Sequence, residues 1–243
     1  MTFKILKETY LNIFGIPHIG TRIRFNNIKS LINELIENYR FLPKIILDAG
    51  CGNGLYSFYL ARTFPNAKII AIDIDEEQIE RNKDKNTFSN IEFIKADLRK
   101  LDFNEQFNLI ICIDVLEHIV EDLKVIQNFY KSLSKNGLLI IHVPAFPRDY
   151  NIFVKEYHQK DHVRDGYSEY EIINLLKYNK FKICKVLRTF NFFGSLAWDL
   201  GFIVYNRNKY LFFVLFPFLL LLSKLDRFSS KKKGNGILVL AKK

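Results

Sequence analysis

The alternation of apolar and polar positions changes rhythm twice along the chain. In the first 42 residues, Ile28, Leu31, Ile32, Leu35, Ile36 and Tyr39 recur at helical spacing, which predicts a helix from about 22 to 40. Pro43 ends it. From Lys44, short β-branched runs alternate with polar segments of helix length: KIILD (44–48), KIIAID (68–73), IEFIKA (91–96), FNLIICID (107–114) and GLLIIHV (137–143). Runs apolar on both faces, separated by crossover-length segments, predict an α/β chain with a doubly wound, mostly parallel sheet. Ligands in such sheets meet the carboxyl ends of the strands.

After Pro144 the alternation stops. A polar stretch with His and Tyr (145–167) leads to a helix capped by Ser168, with Glu171 three residues on completing a capping box. A strand is predicted at 181–190, then an apolar insertion (191–233) with a basic turn, then a closing strand at 237–242. The chain therefore reads as a single domain: an N-terminal helical cap (1–43), a ligand-binding core (44–144), a remainder of the sheet (145–190 and 234–243) and the helical insertion before the last strand.

The densest chemical signal is ILDAGCGNG (46–54). A strand delivers Asp48 to its end, and the chain turns through Gly50, Cys51, Gly52 and Gly54 before a helix begins near Leu55. Glycines there let a ligand approach the backbone with no Cβ in the way. The spacing is GxGxG rather than the GxGxxG of a dinucleotide site, and an acid directly before the glycines suits a cofactor with a positive amino group better than one with a pyrophosphate. Asp73 closes the second strand, where a carboxylate accepts both hydroxyls of a ribose. Ala96, Asp97 and Leu98 close the third, where an acid takes an adenine amino group while apolar neighbours, with Ile74, sandwich the ring. An acid at a strand end is also commonly just a helix N-cap; three in this order with the glycine turn favour a binding edge.

Together LDAGCGNG, AIDID, KADL, FNLIICIDVLEHI and LSKNGLLIIHVP resemble the motif series of class I S-adenosylmethionine-dependent methyltransferases, similar to quinone-biosynthesis O-methyltransferases and bacterial enzymes of natural-product and surface-glycan pathways. The resemblance runs from about Lys44 to Pro144. It implies S-adenosylmethionine as cofactor and a seven-stranded Rossmann-like methyltransferase sheet whose last strand inserts antiparallel. It places Gly50, Gly52 and Gly54 around the methionine moiety with Asp48 near its ammonium, Asp73 on the ribose, Asp97 on the adenine amino group, and Asp114 at the end of the fourth strand beside the cofactor. Asn108 stands where the family usually carries Asp.

Methyl transfer from a sulfonium needs alignment and exclusion of water more than acid–base work. A hydroxyl acceptor still benefits from a base, for which His118 and His142 are the candidates, with His158 and His162 in the segment expected to cover the acceptor. Their bland reading is a capping or satisfied core histidine for the first two and a solvated loop for the others. Asp114, Glu117 and His118 also form DxxEH, similar to the metal-ligand helix of small-RNA 2′-O-methyltransferases. Relatives without metal carry nearly the same EH pair, so no metal is expected.

Composition refines the picture at two points. Cys51, Cys112 and Cys184, odd in number and widely spaced, read as reduced thiols and point to the cytoplasm; with Glu8 interrupting the N-terminus, no secretory leader is expected. The net charge of +10 is concentrated: residues 200–243 hold nine Lys and Arg against one acid, Asp226, beside the apolar run LFFVLFPFLLLL (211–222). Twelve residues reach only about 18 Å as a helix, short of a span. A contact of 195–233 with an anionic membrane surface is expected, peripheral to its inner face, serving a hydrophobic or lipid-linked acceptor. Packing on the sheet edge or on another chain is the bland alternative. Nucleic acid is disfavoured, because the aromatics are not interleaved with Arg. The expected activity is O-methylation of a hydrophobic or lipid-linked small molecule or glycan. Competing functions are a nicotinamide-dependent oxidoreductase, a membrane-associated cofactor-binding protein without turnover, and an RNA 2′-O-methyltransferase with a metal-binding DxxEH helix.

Overall fold

β1 (Ile45–Ala49), β2 (Lys68–Asp73), β3 (Ile91–Lys95), β4 (Phe107–Ile113), β5 (Leu133–Pro144), β6 (Lys182–Thr189) and β7 (Gly236–Lys242) form one seven-stranded sheet in the computed structural model, which describes residues 18–154 and 163–243. The order is β3-β2-β1-β4-β5-β7-β6. β1 to β5 pair in parallel and β7 runs antiparallel to β5, with Ile140 opposite Leu240. The expected sheet, its strand count and its antiparallel last strand are all present. The chain lays β1, β2 and β3 outward, then returns to set β4 on the other side of β1. That reversal opens a crevice at the carboxyl ends of β1 and β4, where connecting chain leaves in opposite directions.

The helices are α1 (Ile19–Tyr39), α2 (Leu55–Thr63), α3 (Glu76–Lys85), α4 (Asp122–Ser132), α5 (Glu169–Tyr178), α6 (Phe192–Arg207) and α7 (Lys209–Lys224). α1 and the closing strand fall within three residues of their predicted limits, and Ser168 and Glu171 form the predicted capping box on α5. The chain divides into two compact units, one of Glu34–Pro147, His158–Leu187 and Gly236–Lys243 and one of Met1–Asn33, Arg148–Tyr157 and Arg188–Asn235.

The first unit carries the sheet core. Leu47, Ile110, Phe107, Leu139, Ile141 and Val239 are buried with Val125, Ile126 and Phe129 of α4. Burying each such side chain contributes about 1.5–3 kcal/mol. Asn108, the departure from the family pattern, does structural work here: its side-chain carbonyl accepts from the N–H groups of Lys44 and Ile45 at 2.8 and 3.0 Å. An amide oxygen meets that need as well as a carboxylate.

The second unit contains the apolar insertion, which folds as α6 and α7 joined at Asn208, the C-cap of one and N-cap of the other. Phe212, Phe216 and Leu219 pack with Ile19, Ile23, Phe190 and Ala197. A Cβ on Gly201 would lie 3.3 Å from Ile19 and in ordinary contact with Phe212 and Leu219 at 3.5 and 3.6 Å. Sixteen residues of α7 measure about 24 Å, and among the described residues no helix is long and apolar enough to cross a membrane.

Asp199, an acid inside the apolar α6, is fully buried. Its carboxylate accepts from the N–H groups of Phe153 and Val154 at 2.8 and 3.1 Å and lies 3.4 Å from Arg148, whose guanidinium also sits 5.0 Å from the Trp198 ring. It thus satisfies the backbone of the segment that follows the sheet. Asp199→Ala should lower stability by about 2–4 kcal/mol, because it strands buried donors and a cation, while Asp199→Asn should lose less by keeping an acceptor. Urea denaturation midpoints measure both; equal losses would mean the carboxylate is not holding that backbone.

Candidate active site

The site is built from the ends of β1, β2, β3 and β4. β1 ends at Ala49, and Gly50, Gly52 and Gly54 turn the chain with φ of 79, 49 and 78° into α2. Such angles are costly for residues with a Cβ. Spatial demands differ between them. A Cβ on Gly50 would lie 2.4 Å from a Val115 methyl, so close packing requires that glycine. A Cβ on Gly52 would meet nothing within 4 Å, so the turn leaves open space in front of its backbone.

β2 holds the turn in place. The carbonyl of Ile72 accepts from the N–H groups of Gly50 and Cys51 at 2.8 and 2.9 Å, and the carboxylate of Asp73 accepts from Gly52 N–H at 2.8 Å. The other Asp73 oxygen accepts from Asp75 N–H at 3.0 Å, and it is Asp75, not Asp73, that caps α3. Two acceptor positions of about four on the Asp73 carboxylate are used, leaving capacity for hydroxyl donors. Beside it Ile74 is 63% exposed, an apolar side chain just past the strand end.

Asp48 is buried under the turn and accepts from the Ser57 hydroxyl at 2.6 Å. Burial, with the Asp73 charge adding to it, pushes its carboxyl up to about 7, so a cation arriving there favours its ionised form. Burial likewise pushes the Cys51 thiol up, which makes it an inert wall of the turn.

At the third strand end, Asp97 caps the short turn Leu98–Lys100 and pairs with Arg99 at 2.7 Å, which holds its carboxyl below the usual range. The capping interpretation therefore applies to Asp97, with Ala96 half-buried before it and Leu98 buried after it. Arg99 also reaches Glu121 at 3.4 Å.

At the end of β4, Asp114 takes φ of 52° and its carboxylate meets Nδ1 of His142, the residue opposite Ile113 on β5. His142 is 1% exposed. The next turn, Leu116–His118, buries Glu117 and leaves His118 exposed. Asp114, Glu117 and His118 thus go three separate ways, and among the described residues no three His, Cys, Asp or Glu come together as a metal-ligand set. His158 and His162 lie outside the described residues.

Several residues absent from the sequence reading complete the edge. Asn82 on α3 donates to the Gly52 carbonyl at 2.7 Å. Its signal was a polar side chain one helical turn from Ile79 on the buried face. Val163 and Arg164 donate to the Glu117 carbonyl at 3.0 and 3.3 Å, and the Tyr167 hydroxyl donates to Asp122 at 2.7 Å while Arg164 lies 3.0 Å from the same carboxylate. These contacts pin the chain after residue 162 to the turn that carries His118.

An open backbone cradle at Gly52, a partly used carboxylate on the next strand, an exposed apolar side chain beside it and a buried carboxyl below fit an adenosine cofactor with a cationic amino acid end. Comparison with known proteins agrees. A family model described as a methyltransferase domain matches residues 44–194. The ubiquinone biosynthesis O-methyltransferase of Rickettsia prowazekii is 31% identical over 132 residues, covering 53% of this chain and 50% of that protein. The malonyl-[acyl-carrier protein] O-methyltransferase of Priestia megaterium is 33% identical over 137 residues, covering 56% and 50%. This chain spans about half the length of the curated relatives it matches. A solved SAM-dependent methyltransferase from Aquifex aeolicus shares the fold at a TM-score of 0.57 and 17% identity, with 88% of each chain covered.

The two glycines should respond differently to substitution. Gly50→Ala drives a methyl into Val115 and should cost about 3 kcal/mol of folding stability, whereas Gly52→Ala carries only backbone strain, about 1 kcal/mol. Chemical denaturation compares them, and a Gly52→Ala loss as large as that of Gly50→Ala would mean the space in front of Gly52 is filled.

Proposed function

Because this chain belongs to the methyltransferase domain family, we propose that it binds S-adenosylmethionine at the carboxyl edge of β1 to β4 and methylates an oxygen on a hydrophobic or lipid-linked acceptor. The observation that carries the reading is the glycine turn fastened to the end of β2 with open space before Gly52. S-adenosylmethionine supplies an activated methyl group, so the residues' task is to hold and orient. Backbone around Gly50, Gly52 and Gly54 borders the amino acid end, Asp48 faces its cationic group, and Asp73 takes ribose hydroxyls. Ile74, Ala96 and Leu98 flank the base. Asp97, whose two carboxylate oxygens both accept from Arg99, takes its amino group by sharing or releasing part of that pairing. Asp114, anchored on His142, closes the floor of the crevice.

Oxygen is favoured as acceptor because both compared relatives are named as O-methyltransferases, one for ubiquinone biosynthesis and one for a malonyl-[acyl-carrier protein]. His118, exposed at the mouth, is the proposed base for the acceptor hydroxyl; buried His142 is a positioning residue that fixes Asp114. The acceptor class rests on the basic, apolar region 195–233, which also suits a protein of the cytoplasm resting on the inner face of a membrane. Three free cysteines are consistent with a reducing compartment.

The test is transfer of labelled methyl from S-adenosylmethionine into separated lipid, glycan, RNA and small-molecule fractions of a cell extract. Label is expected in the lipid or hydrophobic small-molecule fraction. His118→Ala should lower transfer by about 10² or more while leaving the heat of S-adenosylmethionine binding unchanged. Label confined to RNA would defeat the acceptor assignment, and no transfer into any fraction would defeat the enzymatic one.

A further inference from the structure

α7 is apolar on two opposite faces, and among the described residues only one of them is packed against the rest of the protein. Phe212, Phe216, Leu219 and Ser223 are buried, at spacings of 4, 3 and 4 residues. On the other side Leu211, Val214, Phe218, Leu221 and Leu225 follow at 3, 4, 3 and 4, and all are exposed, Val214 by 65%, Phe218 by 66% and Leu221 by 59%. At about 100° per residue these five fall within an arc of about 80°, centred about 150° from the buried face. A stripe of this length and uniformity, running the whole helix, is not scattered surface apolarity.

The charges around the stripe say what covers it. Arg207 and Lys209 stand at one end of α7 and Lys224, Arg227, Lys231, Lys232 and Lys233 at the other, all exposed. Asp226 is the only acid from 207 to 233, and its carboxylate is turned inward, accepting from the N–H groups of Asn191 and Gly194 at 2.9 and 2.7 Å. The outward surface therefore presents cations only. Tyr210 (78% exposed) and Phe228 (70%) add aromatic side chains at the two ends, with Arg227 4.5 Å from the Phe228 ring. A second copy of the chain laid against this stripe would face cation with cation at both ends. An anionic lipid surface matches both halves of the pattern: phosphates opposite the Lys and Arg, acyl chains opposite the stripe.

We propose that α7 is an in-plane membrane anchor that lies along an anionic lipid surface, sinking Leu211, Val214, Phe218, Leu221 and Leu225 below the headgroups while the flanking cations contact lipid phosphate. This deepens the membrane reading given above and rests on it. The length of α7 agrees with lying in the surface rather than crossing it. The buried face remains occupied by α6, so the anchor needs no unfolding of the hairpin.

Flotation of the full chain with vesicles of phosphatidylcholine alone, and of phosphatidylcholine mixed with phosphatidylglycerol, tests it. Binding is expected with the mixed vesicles, weakening with salt, and little with phosphatidylcholine alone. The double substitution Phe218→Ser with Leu221→Ser removes exposed side chains only, so the fold should survive; it should lower vesicle partition by roughly tenfold or more. Lys231→Gln, Lys232→Gln and Lys233→Gln together should lower it comparably on mixed vesicles. Equal flotation of the parent and both variants would overturn the proposal, as would a parent that stays off all vesicles. It would also fall if sedimentation showed a dimer that the Phe218/Leu221 substitutions dissociate, since the stripe would then be a contact between copies. The heat of S-adenosylmethionine binding, recorded on the same samples, separates the two readings: loss of flotation with binding heat intact is failure or alteration of the anchor alone, and flotation without binding heat is failure of the cofactor assignment alone.

Discussion

Two strand ends laced together support the rest of the site. The Ile72 carbonyl, at the end of β2, takes the N–H groups of both Gly50 and Cys51, and the Asp73 carboxylate takes that of Gly52. Three successive donors of a turn that cannot form its own ladder are thereby satisfied by one neighbouring strand. The lacing depends on parallel register, with Ala49 opposite Ile72, and so on the buried β-branched runs that fix that register. It also commits Asp73: the carboxylate that fastens the turn is the one left facing the crevice with unused acceptor capacity. The structural role and the proposed binding role would then fall to one side chain.

The sheet was legible because its strands are buried on both faces and so read as unbroken apolar runs, from KIILD to GLLIIHV. The glycine turn and the acids after β1, β2 and β3 were legible because each is adjacent in sequence to the strand that positions it. What sequence did not reveal depends on contacts between distant segments. Asn82 reaches Gly52 across 30 residues, and Tyr167 reaches Asp122 across 45. Asp199 read as an interruption of an apolar segment until the backbone of Phe153 and Val154 appeared against it. Asp97 shows the reverse case, a residue placed at a binding edge on spacing alone that is also a cap and an ion-pair partner. The DxxEH spacing likewise does not produce a cluster, because Asp114 itself takes positive φ and the short helical turn after it buries Glu117 and leaves His118 exposed.

Charge divides the chain by task. Of the net +10, residues 1–199 contribute little, with 27 Lys and Arg against 25 acids, and residues 200–243 nearly all of it. At the carboxyl edge of the sheet, acids stand singly and each is held by a donor: Asp48 by Ser57, Asp73 by backbone, Asp97 by Arg99, Asp114 by His142. Near the exposed face of α7 the one acid is folded inward and the cations stay in solvent. The first arrangement suits a small ligand with a positive group and hydroxyls, and the second a broad anionic surface.

The most direct test of the central claim is amide hydrogen exchange of the whole chain with and without S-adenosylmethionine. Protection is expected at 50–54, 73–75 and 96–99, the backbone at the ends of β1, β2 and β3, and should be lost in Asp73→Ala. Protection confined to other segments, or none at saturating cofactor, would contradict the placement of the cofactor on this edge.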